Sequence, residues 1–323
     1  MHIVQARQFG PPEVLQIEKT EEPQAGPGQV IIDVKAAGVG FGDTLIRSGK
    51  YPFPLPFVPG WEVGGLITKV GPGGDRSLIG RPVVARLTSG GGYAQQVAVD
   101  AAAFLHIPPG LSIEQAIGVY LAGQTAASLL KTVPIIGGEV VLITAAAGSV
   151  GSLLVQLAKA AGAGTVIGAA RGKEKLNAVS RLGADIAIDY GEDGWVEQVR
   201  EVTGGKGADV VIDSVGGAIG QQALELTASG HGRLAMFGAS SGSGITIETL
   251  GLARRGVTVI GALGMMLAMT EQQTRANAEF VLAEAAAGRL TAVIGQTYPL
   301  ERAAEAHTAL EARQTIGKVL LIP

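Results

Sequence analysis

Between Glu139 and Ala160 an apolar run enters a turn of small residues, Ala145-Ala146-Ala147-Gly148-Ser149-Val150-Gly151, and leaves it as a helix. Few folds ask for that order. Small residues at a strand-to-helix turn leave the first N–H groups of the helix open, and those groups with the helix dipole favour a diphosphate. Gly148 lets the backbone approach such a ligand, and Gly151 lets the new helix pack closely on its strand, with Ala147, Ser149 and Val150 completing the cradle. Ala146 stands at the first position of the G-x-G-x-x-G pattern, a small departure that adds no bulk. A glycine turn alone is weak; the strand before it and the helix after it make the dinucleotide reading specific. Val140 to Ala158 carries no charge, but Thr144, Gly148, Ser149, Gly151, Ser152 and Gln156 interrupt it. It therefore reads as strand, turn and helix, not as a membrane span.

The alternation continues downstream. Strands are expected at Glu139–Ala145, Thr165–Ala169, Ile186–Asp189, Val210–Asp213, Gly232–Phe237 and Val257–Ala262, with helices such as 151–161, 173–182 and 195–203 between them. This pattern predicts an α/β fold with a doubly wound parallel sheet. The first third is β-rich instead, with strands at 29–37, 65–70, 81–87 and 92–99 and a short helix between Asp43 and Ser48. Ser112 followed by Gln115 is a capping box that opens another helix. The end adds a helix at 271–287, a strand at 293–299, a helix at 302–311 and a strand at 318–322. A chain of 323 residues also exceeds what one core usually serves.

The end of the second parallel strand selects the nucleotide. An NAD site usually places an acid there for the ribose 2′-hydroxyl. This chain reads Ala169-Ala170-Arg171-Gly172-Lys173, with Lys175 beyond. Arg171 and Lys175 would bind a 2′-phosphate through charge-assisted hydrogen bonds, so NADPH is expected over NADH.

Composition removes several chemistries. There is no cysteine, and the four histidines have no ligand spacing, so no metal site is expected. With 25 Lys+Arg against 28 Asp+Glu and a net charge of −3, nothing suggests nucleic-acid binding. No targeting or membrane segment is read, which points to the cytoplasm.

Several blocks resemble the zinc-independent quinone oxidoreductases of the medium-chain dehydrogenase/reductase superfamily. They are Asp43-Thr44-Leu45-Ile46-Arg47-Ser48-Gly49-Lys50-Tyr51-Pro52, Phe57-Val58-Pro59-Gly60-Trp61-Glu62, Gly91-Gly92-Tyr93-Ala94, Gly123-Gln124-Thr125-Ala126, the Ala145–Gly151 turn, Gly183-Ala184-Asp185 and Gly317-Lys318-Val319-Leu320. The resemblance covers the chain from end to end. It implies a Rossmann domain (122–264) inserted in a β-rich, GroES-like catalytic domain (1–121 and 265–323), with the active site in the cleft. Zinc-dependent relatives carry a cysteine after the early glycine block and a histidine in a G-H-E triplet; here Gly40-Phe41-Gly42-Asp43 and Gly60-Trp61-Glu62 stand instead. By position, the resemblance implies that Lys175, Tyr190 and Arg313 help hold the 2′-phosphate. Ser214, Val215 and Gly216, with Phe237 and Gly238, would line the nicotinamide. Gly40 and Leu45 depart from the asparagine and tyrosine usual in the family, which leaves a roomier, more apolar pocket.

The implied reaction is hydride transfer from NADPH to a small-molecule electrophile activated by conjugation, a quinone or an α,β-unsaturated carbonyl. Tyr51 is the candidate proton donor or substrate hydrogen-bond partner, against a packing role at the loop base; Thr125 would face the cofactor. Asp43 could orient the loop or cap a helix. The alternatives are a reductase of enones, enals or enoyl-thioesters, and a non-catalytic NADPH-binding protein like the lens crystallins of this family. An acyl-carrier partner would call for a basic patch, for which Arg47, Lys50 and Arg86 are candidates. Val257-Thr258-Val259-Ile260 would be an unprotected apolar edge in a monomer, so a homodimer is expected.

Overall fold

The computed structural model describes residues 1–323. Strands and helices follow in chain order: β1 (His2–Ala6), β2 (Leu15–Lys19), β3 (Gln29–Val39), α1 (Phe41–Arg47), β4 (Glu62–Val70), β5 (Pro82–Arg86), β6 (Gln96–Asp100), β7 (Phe104–His106) and α2 (Ile113–Thr132). Then come β8 (Val140–Ile143), α3 (Ser149–Ala160), β9 (Thr165–Ala170), α4 (Lys173–Arg181), β10 (Ile186–Asp189), α5 (Trp195–Val202), β11 (Val210–Asp213), α6 (Gly217–Glu225), β12 (Arg233–Met236), α7 (Thr249–Arg255), β13 (Thr258–Gly261) and α8 (Ala262–Leu267). The chain closes with α9 (Glu271–Ala286), β14 (Ile294–Pro299), α10 (Ala303–Glu311) and β15 (Lys318–Ile322). Two compact units result, 1–121 with 279–323 and 122–278.

The second unit is built on six parallel strands in the order β10-β9-β8-β11-β12-β13. Numbered within the unit this is 3-2-1-4-5-6, the Rossmann order, and it reverses direction between β8 and β11. Its four central strands are short and buried on both faces: Val141, Leu142, Ile143, Val166, Ile167, Val210, Val211, Ile212 and Leu234 are all inaccessible to solvent. That is what a parallel sheet covered by helices requires.

In the first unit a sheet of seven strands runs β14-β15-β3-β4-β5-β7, with β6 also paired to β3, while β1 and β2 form a separate antiparallel pair. A core of Val4, Ile32, Val34, Val63, Ile67, Val83, Val97, Val319 and Leu321 lies against it. The expected strand from residue 92 begins only at Gln96. Gly92-Tyr93-Ala94 is used otherwise: the Tyr93 N–H donates to the Pro59 carbonyl at 2.9 Å, and its carbonyl accepts the Val4 N–H at 2.8 Å. Likewise β13 stops at Gly261, where the apolar run Ala262–Leu267 coils into α8. Ser112 and Gln115 form the expected reciprocal box, at 3.0 and 3.1 Å, at the head of α2.

Candidate functional site

In the second unit the end of β8 meets the end of β11 at the reversal of strand order. Thr144 follows β8, and its hydroxyl donates to Asp213 Oδ1 at 2.6 Å. Asp213 is 0% exposed. Its Oδ1 also accepts the Val215 N–H at 3.1 Å and its Oδ2 the Gly216 N–H at 2.9 Å, while the Ser214 N–H rests on Thr144 Oγ1 at 3.3 Å. One buried carboxylate thus shapes the loop after β11. The sequence signal for it is an Asp at a strand end three residues before a glycine of positive φ, a known turn former.

The glycine turn has the form expected. Gly148 caps α3 in an extended conformation with no side-chain cap on the helix, so the first N–H groups of α3 have no side chain to satisfy them. The Ser149 hydroxyl is buried without a partner. A Cβ at Gly151 would strike the Ala145 carbonyl and lie 2.8 Å from Ala146 Cα, so only glycine serves there. Ala145 itself takes a left-handed φ of 47°. Ala147 is buried and Val150 half-buried beside them.

At the neighbouring strand ends, Arg171 is exposed after β9 and no acid stands beside it in the chain. Asp189, at the end of β10, spends both oxygens on backbone: the Gly172 N–H at 2.7 Å and the Gly191 N–H at 2.8 Å. The Arg171 side chain runs along Gly191, where an added Cβ would sit 3.0 Å from it. Lys175 lies in the first turn of α4, half-exposed. The Tyr190 N–H donates to the Ala170 carbonyl at 3.2 Å. Its ring meets Trp195 edge-on at 6.4 Å, so it packs on the core as well as bordering this corner.

Ser214, Val215, Phe237 and Gly238 are brought together. The Phe237 N–H donates to the Asp213 carbonyl at 3.0 Å, and Ser240 and Ser241 N–H groups donate to the Ser214 and Val215 carbonyls at 2.9 Å each. Thr125 is half-buried on α2 within this unit. Tyr51 and Arg313 belong to the first unit. Tyr51 is 52% exposed, two residues before Phe53. Arg313 is exposed in the turn after α10, with a left-handed φ of 58°. In the same unit a cavity of about 560 Å³ is lined by Gln5, Phe53, Pro54, Phe57, Val58 and the hydroxyl-bearing Thr88 and Ser89, with no charged side chain; Tyr51 is not among its lining residues.

The first unit also holds a buried polar cluster of which the sequence reading saw little. Arg47, a candidate for an acyl-carrier patch, is 1% exposed; it donates to the Gly10 carbonyl at 2.5 Å and pairs with Glu311. It is therefore withdrawn from any such patch, because a buried guanidinium must keep its partners. Glu62 pairs with Lys318, both buried, and its other oxygen accepts the Leu121 N–H at 3.2 Å. Asp43 caps α1, accepting the Gly40 N–H at 2.6 Å. Burial pushes its carboxyl up to about 6, against the Gly40 N–H and the Lys318 ammonium that favour the charge. The Tyr93 hydroxyl lies 3.0 Å from His307 Nε2. Burial, with the Arg47 charge nearby, pushes His307 down to about 3, so the ring is neutral. Burial and the Asp43 charge raise Tyr93, which stays protonated.

A parallel sheet in this order, a small-residue turn with an uncapped helix, and a second β-rich unit define a nucleotide-dependent dehydrogenase or reductase. Residues 26–109 match the alcohol dehydrogenase GroES-like domain and residues 149–282 the zinc-binding dehydrogenase family. Quinone oxidoreductase 1 of Escherichia coli (strain K12) is 37% identical over 99% of both chains, and a 2-haloacrylate reductase of a Burkholderia species is 35% identical over 97% of this chain and 96% of its own. The crystal structure of Escherichia coli quinone oxidoreductase complexed with NADPH superposes with a TM-score of 0.90 at 33% identity, covering both chains fully. The chain belongs to the quinone oxidoreductase family of the medium-chain dehydrogenases/reductases. Zinc does not fit it: the metal's cysteine and histidine are replaced around Gly40 and Trp61, and no three His, Cys, Asp or Glu side chains come together as a metal ion needs.

Proposed function

We propose that this chain is an NADPH-dependent, metal-free reductase that delivers hydride to a quinone. The observation that carries it is the corner after β9, where Arg171 replaces the acid an NAD site uses and Asp189 is already consumed by backbone N–H groups. Bound NADPH supplies the hydride. The N–H groups of Ser149, Val150 and Gly151, with Ala147, Gly148 and the unpartnered Ser149 hydroxyl, would face the diphosphate, while the Gly148 N–H is held by the Ala145 carbonyl at 2.9 Å. Arg171, Lys175 and Tyr190 would hold the 2′-phosphate. Ser214, Val215, Phe237 and Gly238 line the nicotinamide, their backbone fixed by the Thr144–Asp213 clasp, with Thr125 on the cofactor side. Tyr51 offers its hydroxyl to the substrate oxygen on which charge develops. The apolar, uncharged surroundings of Phe53 and Phe57 suit a neutral aromatic electrophile.

The 2-haloacrylate reductase among the relatives supports a second reading, reduction of an activated double bond. No helix is long and apolar enough to cross a membrane, and a cytoplasmic setting is the reading adopted. A homodimer through β13 is supported by its place at the sheet edge and by exposed Leu263, Met265 and Leu267 beside it. Oxidation of NADPH and NADH by the purified, chelator-treated protein, against quinones, enals and an enoyl-thioester, tests the whole. Preference for NADPH with quinones supports the leading reading. Turnover restricted to enals or thioesters moves it to the second, and tight NADPH binding without turnover points to the non-catalytic reading or to a substrate outside the panel.

A further inference from the structure

Three of the sequence blocks that carry the family resemblance converge on one carboxylate. Asp43 comes from the D-T-L-I-R-S-G block, Gly60 from P-G-W-E and Tyr93 from G-G-Y-A. Asp43 Oδ2 takes the Gly40 N–H at 2.6 Å, the short distance expected when an acceptor is charged. Gly60 and the Tyr93 hydroxyl lie close to the same carboxylate, whose Oδ1 is buried without a hydrogen-bond partner. Gly60 holds a φ of 95°, and a Cβ there would lie 2.6 Å from the Tyr93 ring, so these segments cannot be separated without opening the cluster. Behind Tyr93 stands His307 Nε2 at 3.0 Å, on α10, and next to that Arg47 with Glu311. The Lys318–Glu62 pair, from β15 and β4, flanks Asp43 on the other side.

We propose that Asp43, backed by Tyr93 and His307, is a positioning residue for the reduction: its ionised carboxylate holds the Gly40 N–H at the head of α1, beside Gly60, and so fixes α1 and the turn that follows it to Tyr51, on which the electrophile is oriented. This rests on the reading of Tyr51 given above. The ionised form accepts the Gly40 N–H on Oδ2 and keeps Oδ1 as an open acceptor beside Gly60 and Tyr93; the neutral acid is a weaker acceptor and must spend one oxygen as a donor. The ionisable groups facing Asp43 are Lys318, Glu62 and Tyr93, the last held protonated. Loss of the charge therefore loosens the loop without touching the nucleotide corner of the second unit.

Asp43→Asn keeps the shape and removes the charge. It is expected to lower kcat/KM for the electrophile about tenfold, as loss of a charge-assisted hydrogen bond does. The natural chain is expected to lose kcat/KM below about pH 6, and the variant should lack that fall while leaving the Kd for NADPH, read by fluorescence quenching, unchanged. Hydrogen exchange across residues 40–51 reads the anchoring without any turnover, and should quicken in the variant. Tyr93→Phe, which removes one hydroxyl, should move the acid limb to higher pH, because the carboxylate loses a donor. Unchanged exchange across residues 40–51 in both variants overturns the proposal even if no tested electrophile is reduced. NADPH affinity that falls in step with turnover overturns it as well, since that marks general disruption. If Asp43→Asn does not fold, Tyr93→Phe decides: normal exchange refutes the positioning role and faster exchange supports it.

Discussion

Asp43 and His307 sit on either side of one tyrosine and should pull stability in opposite directions as pH falls. Asp43 holds its proton to about pH 6 in the folded chain against an ordinary 3.8. Folding thus takes up a proton between those values, and stability falls as pH rises through them. His307 is the reverse case: its folded value is about 3 against an ordinary 6.5, so stability grows as pH rises from 3 to 6.5. Each pH unit between folded and unfolded values is worth about 1.4 kcal/mol. Acidifying from pH 6.5 to about pH 4 therefore costs about 3 kcal/mol at His307 and returns about 3 kcal/mol at Asp43. The two nearly cancel in the natural chain. Removing either should expose the other. Relative to the natural chain, Asp43→Asn should lose about 3 kcal/mol over that range, and His307→Gln should gain about as much. Urea unfolding of the three proteins at both ends of the range, followed by circular dichroism, measures the differences. Variant curves that run parallel to that of the natural chain would refute the assignment of these shifts to burial at this cluster.

Arg171→Glu should weaken NADPH binding at least tenfold while sparing NADH, read by titration of both nucleotides, because an acid repels the 2′-phosphate and accepts from a ribose hydroxyl. Gly151→Val should abolish nucleotide binding and lower stability by about 1–3 kcal/mol in thermal unfolding, since its Cβ has no room beside the Ala145 carbonyl. Thr144→Val takes a donor from the buried Asp213 and should cost about 1–3 kcal/mol and raise the Kd for NADPH; Thr144→Ser should restore both.

What the sequence makes legible follows from how local the signal is. The strand–turn–helix at Val140–Ala160 depends on residues within a few positions of each other, and the parallel strands are short apolar runs bounded by polar residues. The fold class could be read from these. Helix α6 escaped because it opens on two left-handed glycines, Gly216 and Gly217, which read as a loop. Helix α8 escaped because Ala262–Leu267 is apolar without a helical period and continues the run of β13. The polar cluster escaped for a different reason. Glu62 meets Lys318, Arg47 meets Glu311, and Tyr93 meets His307 across more than two hundred residues of chain. Nothing in one sequence says that these partners will share a low-dielectric interior.

That cluster also decides what the family resemblance can carry. In the block Asp43-Thr44-Leu45-Ile46-Arg47, the residues Asp43, Thr44 and Arg47 point inward and are engaged with their own chain: Asp43 with Gly40, Thr44 with the Phe41 carbonyl at 2.8 Å, Arg47 with Gly10 and Glu311. Such residues specify a scaffold and are indifferent to which electrophile is reduced, which agrees with a quinone oxidoreductase and a 2-haloacrylate reductase resembling this chain almost equally, at 37% and 35% identity. Substrate choice must then fall to the positions the cluster leaves free, namely the half-exposed Gly40 and Leu45 and the exposed Tyr51. Asp43→Asn should accordingly lower kcat/KM for quinone and enal by the same factor. Leu45→Tyr, which restores a hydroxyl usual in the family, should instead change their ratio, and an unchanged ratio there would move substrate selection away from this loop.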